Sequence, residues 1–511
     1  MNTKNPKKNR LKLFFLFLIF FLLLLPLVYL GIAFAGRISP DSVIPDSFTA
    51  YMYVPNPIRT ADKMVEHKPF SDIVLTPRFS SYLPVVSQIK NSNILKKKLI
   101  RFAGNGALEG ALFYDDKFLA AWDFGIASPL IRFFPNILEK LLIPNLYRGE
   151  KSIFEYRVSD DNVVFIQPYK NLLIISNNFE LFESVLNGSS RDVDLKGSGK
   201  HTFLTHDSDA MFLVASESIV SWLSNSSQMA GAFLKQLNFA DYAELGVSVF
   251  NDKIEVSITS HIASDNENIN KLISRNSKTA TLLRHLPAAT QYSTVVSIGS
   301  AEELLKATLS VSQKKPVNLR QIDRAARFLM GVGLNDLLFS WTGTELAILG
   351  VEGVRQPLFV LQISDEQKRK EIFEKLGDVQ VASGSAAVPQ VNLPGIVSMI
   401  LESLNIKISD PYYVVQNGYL FLSESSQPLV SAVDSIRKDD LLQKTELWES
   451  LAKPDPDESS LELFYSLDNV IPFFMNSNDS FEDALKLYKH GLVTVNITNG
   501  VLKVDLVAMD R

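Results

Sequence analysis

The most constraining stretch of this chain is Leu13–Ala35, 23 residues without a charged side chain. It includes Phe14-Phe15-Leu16-Phe17-Leu18-Ile19-Phe20-Phe21 and four consecutive leucines, Leu22 to Leu25. As a helix it would be about 34 Å long and apolar on every face, enough for a hydrocarbon core of ~30 Å. The run therefore predicts a membrane anchor, with Leu13, Phe17, Leu24, Tyr29 and Ala35 spaced along it. Residues 1–12 carry Lys4, Lys7, Lys8, Arg10 and Lys12 and no acid, and only Arg37 follows closely. That asymmetry places the N-terminus in the cytoplasm and exports the remainder, as a single-pass protein of a bacterial inner membrane would require. The run is longer than the ~7–15 apolar residues of a signal peptide, which favours a retained anchor. Pro26 and the small-x-small sequence Ala33-Phe34-Ala35 leave a cleaved signal as the alternative.

Composition removes several chemistries. The 511 residues include no cysteine. Disulfides, thiol nucleophiles, iron–sulfur clusters, thiolate zinc sites and a lipidated cysteine are therefore excluded. The net charge is −5 and the first 12 residues contribute +5, so everything after them is −10. An acidic exported body gives no footprint for nucleic acid. Lys96-Lys97-Lys98 with Arg101 is a small basic cluster, read as the solvated face of a helix.

Beyond the anchor the chain alternates strands and helices. Thr49–Val54 is a strand, Gly110–Tyr114 and Phe118–Phe124 form a hairpin, and Leu130–Leu142 reads as a helix. Val163–Gln167 and Leu172–Ser176 flank a turn, followed by a helix over Phe179–Leu186. The strand Ala210–Ala215 and a hairpin around Asn251-Asp252 close the series. A similar order returns later. Thr290–Val295 echoes Thr49–Val54, Glu345–Ile348 echoes Glu109–Leu112, and Tyr412–Val415 and Tyr419–Ser423 flank Asn417-Gly418, a strong hairpin signal. The last hairpin surrounds Asn499-Gly500. Matching elements lie 236 to 250 positions apart in the same order.

The expectation is an α+β protein: an N-terminal transmembrane helix, then two tandem homologous modules of mainly antiparallel sheet with helices on one face. The bounds are 1–12 for the basic tail, 13–35 for the anchor, 46–262 and 286–509 for the modules, and 263–285 for a linker. Val381–Pro389, rich in Ser, Gly and Ala, reads as an exposed loop, as does Lys453–Asp457.

Leu286-Pro287-Ala288 and Ser340-Trp341-Thr342-Gly343-Thr344-Glu345-Leu346-Ala347 carry a resemblance. With the anchor and the aliphatic strands, they are similar to a family of exported bacterial proteins catalogued as domain of unknown function thirty-three fifty-two. The likeness is best over 286–509 and looser over 46–262, where Asn105-Gly106-Ala107 replaces Trp341-Thr342-Gly343. The resemblance implies a bacterial envelope protein and supplies no catalytic residues.

Residue patterns that would carry chemistry are scarce. Gly197-Ser198-Gly199-Lys200 lacks a glycine at 194 and a Ser or Thr at 201, so it is no phosphate loop and no nucleotide is expected. The histidines, His67, His201, His206, His261, His285 and His490, include no i, i+4 pair. His206 with Asp207 and Asp209 reads as a polar turn; no metal and no cofactor are expected. No Gly-x-Ser-x-Gly sequence is present. Glu109 and Glu345 occupy matching positions inside apolar strands, where a carboxylate needs a partner and can titrate abnormally. Trp122 and Trp341 are the aromatic candidates for a ligand platform, more often core or rim residues.

The reading that fits is a non-enzymatic envelope protein with a binding or scaffolding role, its partners the membrane and other envelope proteins or lipid. The 33 phenylalanines, the duplication and the lack of a catalytic constellation motivate that reading; the first alternative is a lipid or lipoprotein carrier, with an apolar groove enclosed between two related sheets side by side. The second is an unrecognised hydrolase.

Overall fold

The computed structural model describes residues 24, 28–34, 36–45, 48–69, 86–87, 90, 96, 98–133, 146–148, 153–157, 163–187, 208–226, 236–273, 280–297, 299–311, 319–354, 356–376, 379–383, 386–393, 395, 398, 408, 410–452, 459–466 and 488–510. The chain forms two compact units. One is Met1–Leu213 with Ser248–Asn251, the other Val214–Val247 with Asp252–Arg511.

The first unit is built on strands β1 (Ala50–Val54), β2 (Leu108–Leu112), β3 (Phe118–Asp123), β4 (Leu146–Arg148), β5 (Phe154–Arg157), β6 (Val163–Tyr169) and β7 (Leu172–Ser176), with β8 (Ala210–Ala215) beside β1. From β1 the ladders run β1-β2-β3-β7-β6-β5-β4, each antiparallel. The β2–β3 turn places Asp115 at φ 64, a conformation aspartate tolerates because its short side chain bonds locally. Two helices carry side-chain caps. Helix α1 (Pro57–Glu66) starts with proline after Asn56, which accepts from the Arg59 amide at 3.0 Å. Helix α2 (Phe179–Leu186) is capped by Asn178, which accepts from the Leu181 amide at 2.9 Å. Phe182 on α2, with Leu119, Ala121, Leu172 and Ile174 from β3 and β7, is completely buried.

The second unit holds β9 (Asn238–Phe239), β10 (Tyr242–Val249), β11 (Lys253–Ala263), β12 (Thr290–Val296), β13 (Thr342–Val351), β14 (Leu358–Ile363), β15 (Val379–Ser383), β16 (Ala386–Gln390), β17 (Tyr412–Gln416), β18 (Tyr419–Ser423), β19 (Leu461–Ser466), β20 (His490–Thr498) and β21 (Val501–Met509). Its antiparallel ladders run β11-β21-β20-β19-β12-β13-β14-β18-β17-β16-β15. The turns Asn417-Gly418 and Asn499-Gly500 both place two residues at positive φ, 53 and 82, then 52 and 75, as a two-residue hairpin requires. Its helices include Ser216–Ser226, α3 (Glu267–Ile273), α4 (Ala301–Val311), α5 (Leu319–Met330), α6 (Leu334–Leu338), α7 (Glu366–Lys375), α8 (Ser426–Arg437) and α9 (Glu446–Leu451). The main core joins Val295, Leu349, Val360, Phe421 and Phe464 of the sheet to Leu429 and Ala432 of α8 and Leu451 of α9. Within 263–285, Ile269 and Leu272 of α3 pack with Leu237, Ile262 and Ala307 in a separate cluster.

Glycine and tyrosine make a row across four strands of this sheet. Tyr292 of β12 faces Gly350 of β13, Tyr465 of β19 faces Gly491 of β20, and the two tyrosines face each other. A Cβ on Gly350 would lie 2.0 Å from the Tyr292 ring, and one on Gly491 2.4 Å from the Tyr465 ring. Each ring lies over the glycine opposite it.

The expected fold class needs correction. Among the described residues, no helix is long and apolar enough to cross a membrane. Leu24 and Val28–Phe34 are helical, while Leu13, Phe17 and Ala35 lie outside the described residues. Gly36, at φ 71, turns the chain out of the described helical stretch Val28–Phe34. The second unit is also not a module of 286–509 alone. Strand β11 pairs with β21 from Lys253↔Met509 to His261↔Val501. A long strand edge left open is a liability, and this ladder closes both. In place of two self-contained tandem sheets, the fold is a large antiparallel sheet with helices.

Two smaller readings also change. Val381–Pro389 is not a loop but most of the hairpin β15–β16, with Val381 opposite Val388. Alternating Val-Gln-Val and Ala-Val-Pro on either side of Gly384-Ser385 satisfy strand geometry despite the loop-like composition. The helix expected over Leu130–Leu142 begins instead as a 3-10 segment, Gly125–Phe133, with Pro129 inside it, and residues 134–142 lie outside the described ones.

Candidate functional site

Glu345 is the most elaborated of the candidate residues. It sits on β13, where the register against β14 shifts between Thr342 and Leu346, so Gly343, Thr344 and Glu345 bulge opposite Gln362. The bulge turns the glutamate inward, to 6% exposure. Its Oε1 accepts from the Thr281 amide at 3.0 Å, the Thr281 hydroxyl at 2.9 Å and Gln362 Nε2 at 3.3 Å. Its Oε2 accepts from the Leu282 amide at 2.7 Å and the Tyr419 hydroxyl at 2.9 Å. The carboxylate therefore closes the first turn of the 3-10 segment Thr281–His285, whose amides have no partner within that turn. Five donors leave it fully engaged in holding the chain ahead of β12 onto β13 and β18. The His285 ring lies 5.5 Å from that of Tyr419. Burial pushes the His285 imidazole below its ordinary value, against the pull of Glu345.

Glu109 on β2 is half-buried and hydrogen-bonded by the buried Tyr51 hydroxyl of β1. Burial first, and the Glu109 charge second, push the Tyr51 phenol far up. Both flagged glutamates thus hold a tyrosine hydroxyl, in separate units.

The tryptophans are packing residues. The Trp341 indole N–H donates to the Leu337 carbonyl at 3.0 Å, and its ring meets Phe373 edge-on at 5.6 Å. Trp122 is half-buried, donates to the Gly106 carbonyl at 3.2 Å and lies 5.1 Å from Phe124. Neither indole presents an open polar edge.

Other flagged groups resolve in the same way. Asp209 pairs with Lys63 at 2.6 Å and accepts from the Val249 amide at 2.9 Å; His206 and Asp207 lie outside the described residues, as do 197–200. Lys96 pairs with Glu66 at 2.6 Å and Arg101 with Asp62 at 2.8 Å, on the exposed face expected of that cluster. The buried His67 places Nδ1 2.6 Å from the Phe250 carbonyl. Among the described residues no group of three or more His, Asp or Glu could hold a metal.

A neck of contacts at the start of the first unit has no local sequence signal. The Arg37 guanidinium pairs with the buried Asp123, and Ile38 exchanges two bonds with the Asn171 side chain, at 2.8 Å and 2.9 Å. Asn171 also donates to Asp123 at 2.9 Å, and Ser128 donates to the Ala33 carbonyl at 3.1 Å. The chain leaving the apolar run is thereby fixed to β3, to the β6–β7 turn and to the 3-10 segment Gly125–Phe133.

The buried tyrosines set an alkaline limit. Burial pushes Tyr419 from an ordinary 10.0 up to about 12. Between those values the unfolded chain loses this proton while the native one keeps it, so stability is intact below pH 10 and falls as pH rises. Denaturation midpoints across that window are expected to drop, and Tyr419→Phe to drop less steeply. A midpoint unchanged by pH in the wild-type chain refutes this.

No family model matches the chain, and no curated protein matches it. Among solved structures, crystal form IV of TP0453 is 14% identical over 44% of this chain and 81% of that chain, with a TM-score of 0.26. Crystal form I of the same protein is 10% identical over 78% of this chain and 98% of that chain, with a TM-score of 0.25. Overlaps of that size establish neither a shared fold nor a shared activity.

Proposed function

We propose that this chain is a membrane-associated protein of the bacterial envelope, with its N-terminus inside, its body exported, and a binding or scaffolding role instead of a catalytic one. One observation carries the reading. The described part of the apolar run exposes Val28 (50%), Ile32 (54%) and Phe34 (55%), while Ala33, Arg37 and Ile38 are fastened to the folded body. Large apolar side chains exposed together beside a fixed joint mark a membrane or partner contact. The five basic residues ahead of the run supply the orientation. A non-catalytic role is supported by Glu345 and Glu109, whose hydrogen bonds serve the fold, and by the packed indoles of Trp122 and Trp341.

Fractionation of cells expressing the full chain tests it. The protein is expected in the membrane pellet after a high-salt wash, with its body digested by protease added outside intact spheroplasts. Release by salt overturns membrane association through the apolar segment. A body protected from external protease overturns the orientation. Crosslinking in intact cells that recovers no envelope partner overturns the scaffolding role.

A further inference from the structure

Helix α5 carries a basic and aromatic outward face. Ala326 is fully buried and marks its inward side. At 3.6 residues per turn, Arg320, Arg324, Arg327 and Phe328 then fall within one arc of about 100° on the opposite side. All four are exposed, Phe328 to 88%. Asp323 sits at the margin of this arc, turned to its own business: it accepts from Arg327 Nε at 2.9 Å and from the Leu334 amide of α6 at 2.8 Å. A phenyl ring held almost wholly in water gains nothing for the fold. Three arginines on the same arc, one of them, Arg327, paired with Asp323, on a body whose net charge is −10, are a second departure from the expected surface.

We propose that the Arg320–Arg324–Arg327–Phe328 face of α5 docks on an anionic phospholipid surface. The guanidiniums would engage the headgroup phosphates, and the Phe328 ring would enter the boundary between headgroups and acyl chains. Arginine and phenylalanine on one helix face are the combination that interfacial helices use, charge attracting the helix to the surface and the ring fixing its depth. The inference rests on the membrane reading above. It adds a second contact, far along the chain from the apolar segment, with a stated lipid preference.

The absence of cysteine permits a direct test. In the full chain, Phe328→Cys carries a single environment-sensitive NBD fluorophore, and Tyr114→Cys, at a residue 82% exposed in the first unit, is the control. The labelled chains are floated with vesicles of phosphatidylcholine alone or containing phosphatidylglycerol. The expected result is a blue-shifted, brominated-lipid-quenched emission at position 328 with phosphatidylglycerol only, and an aqueous spectrum at position 114. Arg324→Gln should weaken the response about fivefold, the factor for one charge at an anionic surface. A chain that floats while the 328 probe remains aqueous overturns this inference and leaves the membrane reading standing, with a protein partner for α5 as the outcome. Equal responses on both vesicle types overturn the anionic preference. A chain that floats with neither overturns the membrane reading and this inference together.

Discussion

Glu345→Ala is expected to cost the second unit about 4 kcal/mol, since each buried donor left without an acceptor costs ~1–3 kcal/mol. Two donors are at stake in the interior, the Leu282 amide and the Tyr419 hydroxyl, and the Thr281 amide adds a part-buried third. The Thr281 side chain and Gln362 are nearer solvent and can turn to water. Glu345→Gln keeps one acceptor oxygen and the shape of the site, so its cost should be about half as large. Urea midpoints of the two variants against wild type measure both. If alanine costs under about 1 kcal/mol, the carboxylate is not the clasp described, and the turn Thr281–His285 must be held by its leucines alone. Leu282, Leu283 and Leu286 do lie in the main core, so the clasp adds precision to a segment that burial already attracts.

Gly350→Ala should be nearly as damaging, about 3 kcal/mol, though it adds one methyl group. The new carbon would stand 2.0 Å from Tyr292 Cε1, so the ring has to leave its place over the glycine. Tyr292 is 7% exposed and flanked across the sheet by Tyr465, which covers Gly491 in the same way. Displacing one ring therefore crowds the other. Alanine's lower backbone entropy in the unfolded state returns only ~0.5–1 kcal/mol. The double variant Gly350→Ala with Tyr292→Ala separates ring displacement from backbone effects. It should cost clearly less than the two single changes together, because the clash vanishes with the ring. Strict additivity would show that the row of rings and glycines is incidental.

How far the sequence reveals this molecule depends on the range of the interaction. Local signals translate well. Asn417-Gly418 and Asn499-Gly500 are hairpin turns because asparagine and glycine reach positive φ at low cost. Asp365 caps α7, accepting from the Lys368 amide at 3.0 Å, just before the helical pattern begins. Glu345 and Glu109 stand out as charges in apolar strands, and both do have specific partners. Which partners those are is not legible, because Thr281 and Tyr419 reach Glu345 from 64 and 74 positions away. The pairing of β11 with β21 is hidden for the same reason: alternation gives a strand its faces, not its neighbour. The neck at Arg37 combines both difficulties, since Asp123 and Asn171 look like ordinary residues at strand ends. In Leu13–Ala35 the hydropathy pattern describes what the segment prefers to touch, and the described stretch Val28–Phe34 is helical up to the turn at Gly36.

The β11–β21 ladder also imposes an order of events. A ribosome delivers β11 about 250 residues before β21, and Lys253 cannot meet Met509 until residue 509 has been made. Throughout that interval β11 offers nine unpaired positions to any other strand, a hazard that grows with sequence separation. A stop codon between residues 264 and 501 should therefore leave more than a shortened protein. It should leave a permanently open edge in the middle of the chain, and with it a product for proteases and chaperones to clear.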